Sequence, residues 1–146
     1  MSTVEASQHR YFIAVSYDGT HFHGSQIQEN AATVQGALNG ALQTILRNNE
    51  IETFGASRTD EGVHAYYNVY HFDWPVALDK TLPYKLNAIL PSTMACIGFY
   101  KTSTALNARF DAITRQYRYI IYNKKNPFLE KRAYFFPFQL SIEKLH

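Results

Sequence analysis

Residues 33–45 constrain the fold of this chain most tightly. Val34, Ala37, Leu38, Ala41, Leu42 and Ile45 recur at helical spacing and form one apolar stripe, with Thr33 placed as the N-cap. A helix with a single apolar stripe has to bury it against another layer. Strand-like runs on either side supply that layer. Residues 11–17, YFIAVSY, stop at the turn signal Asp18-Gly19; residues 51–56 are a second short run; residues 66–73, YYNVYHFD, alternate; and residues 94–101 are a fourth. Residues 82–90 form a second, brief helix stopped by Pro91. Gly36 and Gly40, four apart on the first helix, suggest close packing on a sheet, and Asn48-Asn49 is expected to end that helix.

The order strand, helix, strand, strand, helix, strand predicts an α+β domain of the split βαβ, ferredoxin-like or RRM-like kind. It would be an antiparallel four-stranded sheet with two helices on one face. Residues 1–9 read as a flexible N-terminus, 10–102 as this domain and 103–113 as a linker. Residues 114–146 read as the start of a second α+β domain. Its first strand is expected over 114–123, followed by the aromatic cluster AYFFPF and a tail, SIEKLH, that begins like a helix and stops. From that ending a second domain is expected to be begun and cut off.

With 46% hydrophobic and 18% charged residues the composition is that of a globular chain. No apolar run approaches the roughly 20 residues that cross a bilayer, and the N-terminus lacks a basic region followed by an apolar one. A cytoplasmic location is therefore expected. Cys96 is the single cysteine, which excludes an internal disulfide and reads as a buried core thiol. His21 and His23 have no third ligand at suitable spacing, so no metal is expected.

Charge is divided unevenly along the chain. Residues 1–100 carry five Lys or Arg against nine Asp or Glu, whereas residues 101–146 carry nine against three. Arg109, Arg115, Arg118, Lys124 and Lys125 are interleaved with Tyr117, Tyr119 and Tyr122, a pattern suited to a polyanion.

Residues 55–65, GASRTDEGVHA, hold the densest chemistry, on the connection between the second and third strands. Arg58 and Asp60 are two apart, so an extended backbone points both to one face, where they could pair. The same spacing also fits an ordinary turn with a surface ion pair of little worth.

Several ordered stretches resemble the tRNA pseudouridine synthase family of the TruA type. SRTDEGVHA is similar to its RTD-x-GVHA signature. YDGTHFHGSQIQ with TVQGAL, then LNAILP, then NARFDAITRQYRYIIYN resemble its further segments in the same order. Ser57 stands where Gly is frequent, and Glu61 where a small residue is common. The resemblance implies isomerisation of uridine to pseudouridine in the anticodon stem-loop of tRNA, with no cofactor. The glycosidic bond breaks, the uracil turns, and it rejoins through C5.

By the same resemblance Asp60 is the catalytic aspartate. Arg58 would hold it charged and oriented, and could fill the space left by the extruded nucleotide. Gly62 would permit the turn, and His64 reads as a structural hydrogen-bonding residue. Tyr117 would stack on the uracil, while Arg109, Arg115 and the Lys124-Lys125 pair would meet phosphates. Tyr119 reads instead as a core strand tyrosine. The resemblance further implies a homodimer, and a chain ending at residue 146 is expected to be inactive alone. The competing reading is an RRM-like RNA-binding module without chemistry, with YYNVYHF as its stacking platform. An aspartyl phosphotransferase would want a metal-binding carboxylate cluster that the sequence lacks.

Overall fold

The computed structural model describes residues 8–144, which fall into two compact units divided between Thr114 and Arg115. Residues 1–7, most of the expected flexible N-terminus, lie outside the described residues.

In the first unit, β1 (His9–Tyr17), α1 (Val34–Leu46), β2 (Phe54–Gly55), β3 (Ala65–Trp74), α2 (Leu82–Ile89) and β4 (Met94–Thr102) follow one another as the periodicities predict. The sheet order is β2-β3-β1-β4 and every pairing is antiparallel. This is the split βαβ arrangement, an α+β fold. Alternate residues of β1 (Tyr11, Ile13, Val15) and of β3 (Tyr70, Phe72) share one buried cluster with Leu38 and Leu42 of α1 and Leu82 and Leu86 of α2. Both helices therefore cover the same face of the sheet. Each such side chain contributes about 1.5–3 kcal/mol of burial before its ordering entropy is subtracted.

Local chemistry sets the ends of the elements. Thr33 caps α1 by accepting the Gly36 N–H at 3.1 Å. At the other end Arg47 takes a left-handed conformation, φ 53°, so the helix stops one residue ahead of Asn48. The second strand is shorter than the expected 51–56, because α1 takes over its backbone bonds. Asn39 Oδ1, buried on α1, accepts the Thr53 N–H at 3.1 Å and the Thr53 hydroxyl at 2.7 Å. Gln35 donates to the Thr53 carbonyl and Gln43 to that of Ile51. Phe54 and Gly55 remain for the ladder, and next to them the Ala56 N–H donates to the Val69 carbonyl of β3 at 2.7 Å.

At the opposite edge of the sheet, Asn87 of α2 grips the edge strand β4. It accepts the Cys96 N–H at 2.7 Å and donates to the Cys96 carbonyl at 2.9 Å. The Cys96 thiol is buried, and burial raises its pKa.

The expectation for Gly40 does not hold. It is exposed on α1, and a Cβ there would meet nothing within 4 Å. Close packing therefore cannot be its purpose. Gly40→Ala is expected to stabilise the unit by about 0.5–1 kcal/mol, read as a higher urea midpoint at unchanged m-value.

Residues 103–113 lie against the sheet. Arg10 clasps Asp73 with two bonds of 2.7 Å and donates a third, also 2.7 Å, to the Leu106 carbonyl. Those bonds hold the Asp73 carboxyl below its ordinary pKa.

The second unit contains β5 (Ile121–Tyr122) and β6 (Tyr134–Phe135), a short parallel pair, and a 3-10 turn at Ile142–Lys144. The expected strand over 114–123 is thus reduced to its last residues. Alternation alone does not make a strand without a partner and a buried face, and residues 115–121 are exposed. Tyr119, expected in a core, is 92% exposed. Aromatic contacts gather around β6: Tyr122 meets Phe135 with ring centroids 5.2 Å apart, and Phe136 meets Phe138 at 5.5 Å.

Candidate active site

The loop between β2 and β3 is held from below by the segment that follows β1. Thr59 turns all its polar groups inward. Its N–H donates to Ser25 Oγ at 2.7 Å, its carbonyl accepts the Ser25 N–H at 2.9 Å, and its hydroxyl meets the Tyr17 hydroxyl at 2.8 Å. Successive residues of an extended chain point to opposite sides. With Thr59 anchored inward, its neighbours Arg58 and Asp60 are left on the outer side, and both are exposed.

Further bonds fix the rest of the loop. Ser57 donates to Asn68 Oδ1 at 3.1 Å, and the Val63 N–H closes a turn onto the Asp60 carbonyl at 3.2 Å. Gly62, at φ 76°, donates to the Phe22 carbonyl at 3.3 Å. That φ favours glycine, as the sequence suggests. His64 Nδ1 accepts the Gly19 N–H at 2.9 Å and also lies 3.2 Å from Asp18 Oδ1. The two contacts require opposite protonation of the same nitrogen. The shorter one comes from a backbone donor fixed in direction.

Two glycines of the underlying segment let the chains touch. A Cβ on Gly19 would stand 2.0 Å from the Val63 carbonyl oxygen, and one on Gly24, at φ 84°, 3.0 Å from that of Thr59. Asp18, Gly19, Phe22, Gly24 and Ser25 thus form the bed on which the loop rests. His23 and Glu61, both exposed, approach only to 3.9 Å, a contact of little energetic weight.

Arg58 also lines a polar depression of about 300 Å³ beside the loop, together with Ser25, Gln35, Glu52, Tyr70 and Arg109. The Tyr70 phenol oxygen is buried with no hydrogen-bond partner among the described residues, and burial raises its pKa. The Ser25 hydroxyl lies close enough to oppose that rise without meeting hydrogen-bond geometry.

The structure therefore brings Arg58 and Asp60 to one rim and Arg58 and Arg109 to one depression. No ion pair joins Arg58 to Asp60 among the described residues; the backbone bonds of the loop are what fix the aspartate. Arg115 and Tyr117 belong to the second unit, where both are exposed. No cluster of three or more potential metal ligands occurs among the described residues. Sequence reasoning missed Thr59 and Ser25. A signal for Thr59 was present, because on an extended chain the residue between two that share one face points to the other.

The model of a family described as tRNA pseudouridine synthase matches residues 13–93. A curated relative from Bacteroides fragilis, tRNA pseudouridine synthase A, is 42% identical over 143 residues, covering 96% of this chain and 56% of the relative. Relatives of the same name from Bacillus licheniformis and Thermoanaerobacter sp. are 39% and 38% identical over 135 and 136 residues, about 90% of this chain and 55% of each relative. The chain thus spans about half the length of the curated relatives it matches. A family match over more than half of the chain, together with this identity, places the chain in the tRNA pseudouridine synthase family.

Proposed function

We propose that this chain carries the reacting carboxylate of an enzyme that isomerises uridine to pseudouridine in the anticodon stem-loop of tRNA. The observation that carries the reading is the anchoring of Thr59, which leaves Arg58 and Asp60 side by side on an exposed rim. The reaction breaks the bond from N1 of uracil to C1′ of ribose and makes one from C5 to C1′. C5 gives up a proton and N1 gains one, so electrons and atoms balance without a redox partner. Asp60 is the group that attacks or accepts a proton during this exchange.

Arg58 is the adjacent cation. It is placed to orient the Asp60 carboxylate as the base approaches and to enter the stack from which the nucleotide is extruded. Arg109, sharing the depression with Arg58, takes a phosphate, as does Arg115. Tyr117 is the stacking residue for the uracil, a contact worth roughly 1–3 kcal/mol. The active enzyme is a cytoplasmic homodimer. Among the described residues no helix is long and apolar enough to cross a membrane.

A second reading has its own observation. Phe54, His71, Phe12 and Tyr100 are register partners across all four strands, on the face of the sheet away from the helices, and Phe54 and Tyr100 are about half exposed. Such a row is a platform for stacking bases without chemistry. Tritium release from tRNA labelled at C5 of uridine separates the two. Release catalysed by the full-length protein carrying this chain supports the enzyme, and tight tRNA binding with no release supports the module.

A further inference from the structure

Arg109 is held in place by a device remote from the loop. Residues 107–111 form a turn closed on itself. Asn107 Oδ1 accepts the N–H groups of Arg109 and Phe110 at 2.9 and 3.2 Å. The Asn107 N–H donates to Asp111 Oδ2 at 2.6 Å, and the Asp111 N–H returns to the Asn107 carbonyl at 3.0 Å. Such a turn moves as one body, so its position depends on what ties it to the sheet. Arg10 and His71 do so. Arg10 holds the Leu106 carbonyl, and His71 Nδ1 accepts the Ala108 N–H at 3.1 Å. His71 and Ala108 are both buried. The imidazole is stacked on Phe54, centroids 5.3 Å apart, and tilted against Phe12 at 6.0 Å. Its ring therefore has little freedom to seek another donor.

We propose that His71 is a positioning residue for RNA binding: through Ala108 it sets the turn that presents Arg109 to the depression lined by Arg58, and its protonation releases that turn. The proposal rests on the reading of Arg109 as a phosphate-binding group. A protonated Nδ1 would face the Ala108 N–H donor to donor, and the bond would be lost. The charged groups facing His71 are Arg10 from β1 and Asp73 from β3, while β2 brings only Phe54 and the turn brings the Ala108 amide. Burial and then Arg10 lower the His71 pKa from its ordinary value, and Asp73 opposes them. A lowered value keeps the acceptor form throughout the neutral range. The bond is fully present above the ordinary histidine value and is lost only as pH falls through the lowered value that His71 has in the folded protein.

The test uses two substitutions in the full-length protein. His71→Asn keeps a neutral acceptor near the position of Nδ1 and does not titrate; His71→Phe keeps a ring and has no acceptor. Amide hydrogen exchange is followed over residues 104–112, and tRNA affinity is measured between pH 7.5 and 5.5. His71→Phe is expected to lose roughly tenfold in protection at Ala108 and roughly tenfold in tRNA affinity, with no further loss when combined with Arg109→Ala. His71→Asn is expected to retain both, and to lack the fall in Ala108 protection that the wild type shows at low pH. Unchanged protection in His71→Phe, or full additivity with Arg109→Ala, overturns the proposal. Should His71→Phe not fold, equal pH dependence in the wild type and His71→Asn overturns it instead. An Arg109→Ala variant with normal affinity, while His71→Phe still frees the Ala108 amide, overturns the phosphate reading and leaves the hold on the turn intact.

Discussion

Asp60→Asn is expected to abolish pseudouridine formation while tRNA binding stays within about twofold of the wild type. The side chain is exposed at the rim, and only the backbone of residue 60 takes part in the bonds of the loop. An amide of the same shape therefore leaves the fold intact and removes only the carboxylate. Loss of a reacting group of this kind lowers turnover by at least roughly 10³–10⁴-fold. The check is single-turnover kinetics on a saturated anticodon stem-loop with Kd measured in parallel. A variant that binds and turns over normally would remove Asp60 from the chemistry, and one that fails to bind would make it a binding residue.

The second large effect belongs to Gly19→Ala. The added Cβ would stand 2.0 Å from the Val63 carbonyl oxygen, far inside van der Waals contact, and its neighbour is backbone that cannot rotate away. Either the bed or the loop has to move. If the bed holds, the loop is displaced and Asp60 with it, so turnover falls while stability changes little. If the loop holds, the unit loses about 2–3 kcal/mol. Thermal unfolding and kcat measured on one preparation distinguish the two cases, and a variant normal in both would show that the contact is not maintained in solution. The same displacement should follow from Thr59→Val, more gently, because one hydroxyl bond is lost and the backbone bonds to Ser25 remain.

Local periodicity carried most of the fold. The stripe from Val34 to Ile45, the turn at Asp18-Gly19 and the stop at Pro91 place α1, β1 and α2 to within a residue or two of their observed ends. These features are legible because helix and strand periods are properties of neighbouring residues. The loop was legible for the same reason: its charged pair and its glycine are adjacent in sequence.

What was hidden depends on residues far apart. Asn39 accepts from Thr53 and so shortens β2, and nothing in either local pattern reveals the partner. Ser25 and Thr59 meet across 34 positions, and His71 and Ala108 across 37. The segment 18–25 reads as a loop of polar and aromatic residues, while its place as a bed under the loop of residues 57–64 exists only after the sheet has formed. The strand expected over 114–123 shows the reverse error. Alternation was present there, but among the described residues the strand pairing covers only Ile121 and Tyr122.

A position-resolved map of pseudouridine in bulk tRNA, after incubation with the full-length protein carrying this chain, tests the central claim most directly. New pseudouridine confined to anticodon stem-loops, and absent when Asp60→Asn replaces the wild type, is the expected result. Modification elsewhere in the tRNA, or the same map from Asp60→Asn, would contradict it.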